Sequence, residues 1–233
     1  MKAIAIIPAR GGSERIPRKN IRYFCGKPMI AWSIETAQAS GCFSRIIVST
    51  DDSEIAAVAR EHGAETPFNR PQRLANDHAP TVPVIAHAIE QLKVPPEQPT
   101  CCLYATAPFV SVGDLRKGQD LLFETPYAFV FPVTTFAYPI QRALLRNHDG
   151  QMQMFAPELA QTRSQDLEEA WHDTGQFYWA LAKTWATKES IFDGIAHGIP
   201  IDRSRVQDID TLEDWKQAEK MAQVLNMAEH QTS

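Results

Sequence analysis

Two charged features of this 233-residue chain have the residue types and spacing for phosphate chemistry. The first is the segment 10–22, R-G-G-S-E-R-I-P-R-K-N-I-R, with five cations (Arg10, Arg15, Arg18, Lys19, Arg22) against one acid, Glu14. The whole chain carries a net charge of −5, so positive charge is concentrated here and would focus a polyanionic ligand. Gly11 and Gly12 have no Cβ and follow an apolar run, where the backbone can turn N–H groups toward an anion. A tight turn also explains such a pair, and the spacing is neither G-x-x-x-x-G-K-[ST] nor G-x-G-x-x-G. The second feature is V-Q-D-I-D, residues 206–210. On a strand its two carboxylates, Asp208 and Asp210, share a face and repel unless a cation joins them. Magnesium takes one or two protein carboxylates plus substrate phosphates, which fits this pair opposite a basic loop. The alternative is that Asp210 or Thr211 caps the following helix, with Thr211 and Asp214 at capping-box-like spacing.

The elements that must position these features alternate. Lys2 to Pro8 reads as a strand buried on both faces. Pro28 to Ala37 has helical spacing and ends near Gly41; Arg45 to Thr50 is a second strand; Asp51-Asp52-Ser53 offers N-cap chemistry for a helix closed by Gly63. That βαβ unit predicts a parallel sheet. A loop from Thr66 to Pro80 leads to a helix from Thr81 to Leu92, a strand from Thr100 to Thr106, a helix from Val112 to Phe123 and a strand from Tyr127 to Val133. Between residues 134 and 169 the pattern changes: Ala143 to Arg146 and Gln151 to Phe155 flank Asn147-His148-Asp149-Gly150, a hairpin turn signal. Gly175 to Leu181 resumes the sheet. A short helix through Trp185, a strand near Gln207 and a helix from Leu212 to about Leu225 close the chain.

Composition narrows the function classes. A hydrophobic content of 44% and this length suit one α/β domain over 1–233. The first apolar run ends at Arg10, too short to span a membrane or form a signal peptide. Cys25, Cys42, Cys101 and Cys102 have no metal spacing and read as reduced thiols of a cytoplasmic protein. One basic loop in an acidic chain is the footprint of a small anion site and not of a nucleic-acid surface. His172 and Asp173, adjacent on an extended stretch, point in opposite directions and do not read as a catalytic relay.

The string A-R-G-G-S-E-R-I-P-R-K-N (Ala9 to Asn20) resembles the signature of the CMP-sialic acid synthetase family, cytidylyltransferases that activate nine-carbon acidic sugars. P-F-N-R-P-Q-R-L-A-N-D (Pro67 to Asp77) and Q-D-I-D-T (Gln207 to Thr211) match too, so the resemblance spans nearly the whole chain. It implies a Rossmann-like nucleotidyltransferase fold, a mostly parallel sheet flanked by helices, with 134–170 as an inserted antiparallel excursion for homodimerisation that reaches over the partner's active site. It also implies the reaction: the anomeric hydroxyl of the sugar attacks the α-phosphorus of CTP and pyrophosphate leaves, with Mg²⁺ as cofactor. Carried over position by position, Arg10, Lys19, Asp208 and Asp210 are the catalytic candidates, the two aspartates holding the metal. Ala9, Arg10, Gly11, Gly12, Ser13, Lys19, Asn20, Arg70, Asp77 and Thr81 are the nucleotide-site candidates. Taken by itself, Arg70 reads as a solvated loop arginine and Asp77 as a cap for the helix at Thr81. Family members often have lysine where this chain has Glu14, and the neighbouring Arg15 is placed to supply that charge.

The sugar end departs from the sialic acid enzymes. Tyr104 stands where a glutamine is usual, and His172-Asp173-Thr174-Gly175 where an arginine-proline-asparagine-glycine run is usual. T-R-S-Q-D-L, H-D-T-G and C-C-L-Y-A are more similar to the pseudaminic acid cytidylyltransferases, whose sugar has a methyl-terminated tail and two acylamino groups. Tyr104 and His172 are therefore expected at the sugar's far end and Arg163 on its carboxylate, against a plainer reading in which Arg163 pairs with Asp166 and Tyr104 fills the core. Sialic, legionaminic or 3-deoxy-octulosonic acid are alternative sugars, and a nucleotide-binding module without turnover is the alternative outside catalysis.

Overall fold

A computed structural model describes residues 2–76, 79–124, 128–187, 190–192 and 194–225. In chain order the strands and helices are β1 (Ala3–Pro8), β2 (Tyr23–Phe24), β3 (Lys27–Pro28), α1 (Met29–Ser40), β4 (Phe43–Ser49), α2 (Ser53–Glu61), α3 (Thr81–Leu92), β5 (Pro99–Leu103), α4 (Val112–Glu124), β6 (Phe129–Thr135), β7 (Leu144–Arg146), β8 (Met152–Met154), β9 (Trp171–Asp173), β10 (Phe177–Leu181), α5 (Ala182–Thr187), β11 (Ala196–Pro200) and α6 (Leu212–Val224). The main sheet runs β11-β6-β10-β5-β1-β4, with β9 paired to β6. β1 pairs in parallel with β4 and β5, and β11 with β6; β10 and β9 run antiparallel to their neighbours.

β1 is central because its side chains are apolar on both faces. Ala3 and Ile7 pack into one cluster with α1 residues Ile30 and Ile34 and α4 residue Leu115. Ile4 and Ile6 pack into the other with Val82, Ile85 and Ala88 of α3 and Trp185 of α5. Helices on both faces are what a parallel strand of this composition requires. The chain steps from β1 to β4 on one side and later to β5 on the other, so a crevice opens beyond the carboxyl ends of β1 and β5, the switch point where α/β sheets bind ligands.

A third cluster sits outside the sheet and positions the chemistry. Ile16 from the basic loop and Ile209 from between the two aspartates are both fully buried, beside Phe24, Met29 and α6 residue Trp215. Burying these two side chains fastens 10–22 against 206–210, which bring no backbone ladder to each other.

One expectation is corrected. The last strand of the sheet is β11, and 206–210 is irregular backbone leading into α6. Asp208 and Asp210 nevertheless face outward together, because Ile209 between them is drawn into the core. The hairpin expected there is present, with Gly150 of its turn at φ 85°, and β7 and β8 form a two-stranded ribbon that among the described residues pairs with no other strand. Among the described residues no helix is long and apolar enough to cross a membrane. The four cysteines are free thiols, and burial raises Cys101 and Cys102 well above the ordinary thiol range.

Candidate active site

The crevice at the ends of β1 and β5 is a cleft of about 190 Å³ whose lining includes Arg10, Ser13, Lys19, Asn20, Arg70, Thr81 and Tyr104. A second cleft, of about 230 Å³, shares Arg10, Ser13 and Lys19 with it and ends on Arg15 and Asp210. The two form one path that begins among apolar and aromatic groups, passes three shared polar side chains and finishes at a carboxylate. Sequence reasoning placed Arg10, Ser13, Lys19, Asn20, Arg70 and Thr81 at a nucleotide site, and the fold brings all six to this path. Asp77 lies outside the described residues.

Arg70 is the least expected of them. Its residue is 4% exposed, because its backbone N–H extends β4 by donating to Thr50 O at 2.8 Å, which draws the side chain inward. Nη1 reaches Leu74 O at 3.4 Å, whereas Nε and Nη2 are buried without a partner among the described residues. Desolvation lowers its pKa to about 10, with Asp51 opposing the shift and Arg10 adding to it. A buried guanidinium with unused donors is costly unless a ligand completes it.

The loop itself is tied down more firmly than its charge count implies. Arg18, at φ 58°, donates to Asp52 at 2.6 and 3.1 Å and also meets Glu54. That bond, ahead of the N–H groups of Glu54 and Ile55 that Asp52 also caps, holds the Asp52 carboxyl below its ordinary value. Arg22 lies over the Trp215 ring, 5.0 Å from its centroid. Gly11 donates its N–H to Asp51 Oδ1 at 3.0 Å, so this N–H serves the fold and is not turned to an anion as the glycine pair suggested. A Cβ at Gly11 would stand 2.8 Å from Asp52 Oδ2, which is why glycine is needed there. Ala9 is buried, with its N–H bonded to Ser49 O; it and the glycines shape the loop and do not line the cleft. Asn20 Nδ2 pins the loop through Arg10 O at 2.9 Å.

At the far end, Lys19 Nζ donates to Ile209 O at 2.6 Å and to Asp210 Oδ1 at 3.3 Å, while Arg15 pairs with Asp210 Oδ2 at 2.8 Å. Arg15, beside Glu14, thus supplies the loop's second cation to this carboxylate. Helix capping is done by Thr211 and Asp214, which form a full capping box, so neither Asp208 nor Asp210 is consumed as a cap. Desolvation, then the charge of Asp210, raises the Asp208 carboxyl above its ordinary value, and Lys19 opposes this. Asp210 lines the second cleft and Asp208, two residues before it, does not; a pair of carboxylates this close in sequence suits a divalent ion that also takes phosphate oxygens. Among the described residues there is no larger His, Cys, Asp or Glu cluster for a metal, so phosphate oxygens or water would have to complete the shell.

The three sugar-site expectations separate. Tyr104 lines the cleft and exchanges a hydrogen bond of 2.7 Å with Thr81 Oγ1. His172 instead packs on Phe136, ring centroids 4.7 Å apart, with Nδ1 bonded to Asp173 O. Its neighbour Asp173 accepts from Tyr178 Oη, so the two residues do not form a relay. Arg163 pairs with Asp166 at 2.7 Å on a side chain 71% exposed, away from the cleft of its own chain.

A family model for cytidylyltransferases matches residues 4–223. The chain is 42% identical, over the whole of both chains, to the pseudaminic acid cytidylyltransferase of Campylobacter jejuni. It is 31% identical to the CMP-N,N'-diacetyllegionaminic acid synthase of Legionella pneumophila, covering 96% of this chain and 97% of that one. Among solved structures, a CMP:2-keto-3-deoxy-manno-octonic acid synthetase complexed with CTP shares the fold with a TM-score of 0.71 at 20% identity, over 96% of this chain and 99% of the other.

Proposed function

The chain belongs to the cytidylyltransferase family, and on that premise we propose that it transfers CMP from CTP to the anomeric hydroxyl of pseudaminic acid, releasing pyrophosphate. The observation that carries the nucleotide half is Arg70, a buried cation on the wall of the cleft with two donor atoms that have no partner among the described residues. The choice of sugar rests on the full-length likeness to the Campylobacter enzyme, together with an aromatic residue, Tyr104, in place of the glutamine usual in the sialic acid enzymes.

The nucleoside occupies the Arg70 end, where the guanidinium completes its hydrogen bonds on carbonyl or hydroxyl oxygens of the ligand. The triphosphate runs along Arg10, Ser13 and Lys19 toward Asp210. Asp208 and Asp210 would hold Mg²⁺, which when bound supplies charge neutralisation at the phosphates. Binding the triphosphate exchanges partners: Lys19 and Arg15 leave Asp210 for phosphate oxygens. With the chain's cations on those oxygens, negative charge developing on the departing pyrophosphate is stabilised by groups already aimed at it, and catalysis is mainly positioning and electrostatics.

The excursion 134–170 is the part of this reading that involves a second copy. Tyr138, Leu144, Leu145, Met152 and Phe155 are exposed at 54% or more, an apolar surface of the kind that marks an interface, and we take its occupant to be the same excursion of a partner chain. Arg163, remote from its own cleft, would then serve the partner's sugar carboxylate by giving up Asp166. The reaction draws on cytoplasmic CTP, and four unbridged cysteines suit that compartment.

The test is pyrophosphate release from CTP and Mg²⁺ with pseudaminic acid and, in parallel, sialic, legionaminic and 3-deoxy-octulosonic acids. Turnover with pseudaminic acid well above the others supports the reading. Turnover with none of them returns the chain to a binding module.

A further inference from the structure

The arm that carries the two aspartates follows β11 and has no regular structure between 206 and 210. The buried Ile209 and the Thr211–Asp214 capping box fasten its far end. Its near end hangs on Arg205, three residues before Asp208. The Arg205 guanidinium pairs with Asp114 in the first turn of α4, Nη1 to Oδ2 at 2.5 Å, and Asp114 is itself held by the Ser111 hydroxyl at 2.7 Å. The Arg205 carbonyl accepts from Gln176 Nε2 at 2.7 Å. Gln176 in turn accepts the backbone N–H of Tyr104 on its own carbonyl at 2.9 Å. One residue thus brackets the cleft wall at Tyr104 and the arm that leads to Asp208.

As a contribution to stability this bracket gains little. Gln176 is 4% exposed, and its Oε1 is buried with no partner among the described residues. An unsatisfied buried acceptor costs as much as a typical hydrogen bond contributes, or more, so the dry oxygen offsets the bond that the amide nitrogen makes. What the side chain supplies is a fixed separation. The arm cannot draw away from the wall without breaking the Gln176 bond, nor slide along it without breaking the Arg205–Asp114 pair. Neither Gln176 nor Arg205 lines either of the two clefts, so both act on the nucleotide path only through the arm and the wall.

We propose that Gln176 and Arg205 are positioning residues that hold the arm where Asp208 can join Asp210 on the divalent ion accompanying the triphosphate. Groups that orient metal ligands without touching the metal change its affinity by about tenfold to a hundredfold when they are removed. The inference rests on the proposed cytidylyl transfer, with Asp208 and Asp210 as its metal ligands. It adds that the ion's hold on the nucleotide is set where the arm meets α4 and the residues leading into β10, away from the phosphates themselves.

The experiment measures the dissociation constant of CTP by calorimetry, with and without Mg²⁺ and in the absence of sugar, for the unmodified protein, Gln176→Met and Arg205→Met. The readout is the factor by which Mg²⁺ tightens CTP binding. The expected result is a fall in that factor of about tenfold or more in both variants, with the metal-free constant kept within about twofold. A merely structural role weakens the two constants alike or changes neither, and leaves the factor within about twofold of the original. That outcome in one variant removes its residue from the proposal, and in both overturns it. An unmodified protein whose CTP binding Mg²⁺ does not tighten overturns it as well, because the arm then has no metal to serve. Should Arg205→Met fail to fold, Gln176→Met, whose urea unfolding should stay close to that of the original, decides alone. Absence of CTP binding by the unmodified protein, with or without Mg²⁺, is a different failure, which removes the proposed function and this inference with it.

Discussion

Lys19 and Asp210, 191 residues apart in the chain, form an ion pair at 3.3 Å, and the same ammonium donates to the backbone of Ile209 at 2.6 Å. The fold therefore keeps a candidate phosphate-binding cation and a candidate metal ligand in contact, and under the proposed function the substrate separates them. Removing the ammonium should hurt catalysis more than folding. Lys19→Ala is expected to lower kcat/KM for CTP by about 10²-fold, while thermal unfolding shifts by the small amount of a partly exposed pair, about 1 kcal/mol or less. An unchanged kcat/KM with a large loss of stability would make the contact structural.

Arg70 offers the opposite balance. A buried guanidinium whose Nε and Nη2 have no partner among the described residues costs stability, so Arg70→Met, apolar and unbranched, should fold as well as the original or better. CTP binding measured by calorimetry should weaken by about tenfold to a hundredfold, the scale of losing a charged hydrogen bond to the ligand. Unaltered CTP affinity would remove Arg70 from the nucleotide site.

The two adjacent glycines should behave differently. A methyl at Gly11 meets the Asp52 carboxyl oxygen at 2.8 Å, and Asp52 cannot yield while it holds Arg18 and caps α2. Gly11→Ala is expected to cost about 1–3 kcal/mol in urea unfolding. Gly12→Ala has nothing within 4 Å of the new carbon and should stay within about 0.5 kcal/mol. Equal effects at both positions would mean the loop relaxes freely.

The same carboxylate gives a pH signature. Arg18 and the α2 N–H groups hold Asp52 below the ordinary value of 3.8, so its contribution is complete above that value and is lost as pH falls through the lower folded one. Asp52→Ala should cost about 0.5–2 kcal/mol near neutrality. The gap between the two proteins should narrow below about pH 4. A gap that stays constant to pH 2 would exclude the charge as its source.

Much of the scaffold could be read from local pattern. The helix expected from Thr81 to Leu92 is observed with those ends, and Asp52 caps α2 as the Asp51-Asp52-Ser53 signal implied. Edge elements were harder. β11, A-H-G-I-P, mixes a histidine, a glycine and a proline, which a sheet edge tolerates and periodicity does not reveal, so the final strand was sought ten residues too late. The site was legible as residue types but not as pairings. Five cations in thirteen residues look like an open anion trap, yet the acids that hold Arg15, Arg18 and Lys19 lie 34 to 195 residues away in sequence, beyond any local signal. Arg70 resembles any loop arginine until its backbone is seen to extend β4. The Tyr178–Asp173 bond had no local sign, because a five-residue separation becomes a contact only after the chain turns through Gly175, at φ 62°.

The central claim is which sugar receives the CMP. Under the proposed function the Tyr104 ring, where the sialic acid enzymes have glutamine, stands at the far end of the sugar, so each hydroxyl of sialic acid's glycerol tail left unsatisfied there costs about 1–3 kcal/mol, whereas a methyl-terminated tail carries no such penalty. The deciding measurement is kcat/KM for pseudaminic acid and for sialic acid, by pyrophosphate release with saturating CTP and Mg²⁺. The expected result is a preference for pseudaminic acid of about a hundredfold or more; equal values for the two sugars would contradict the account.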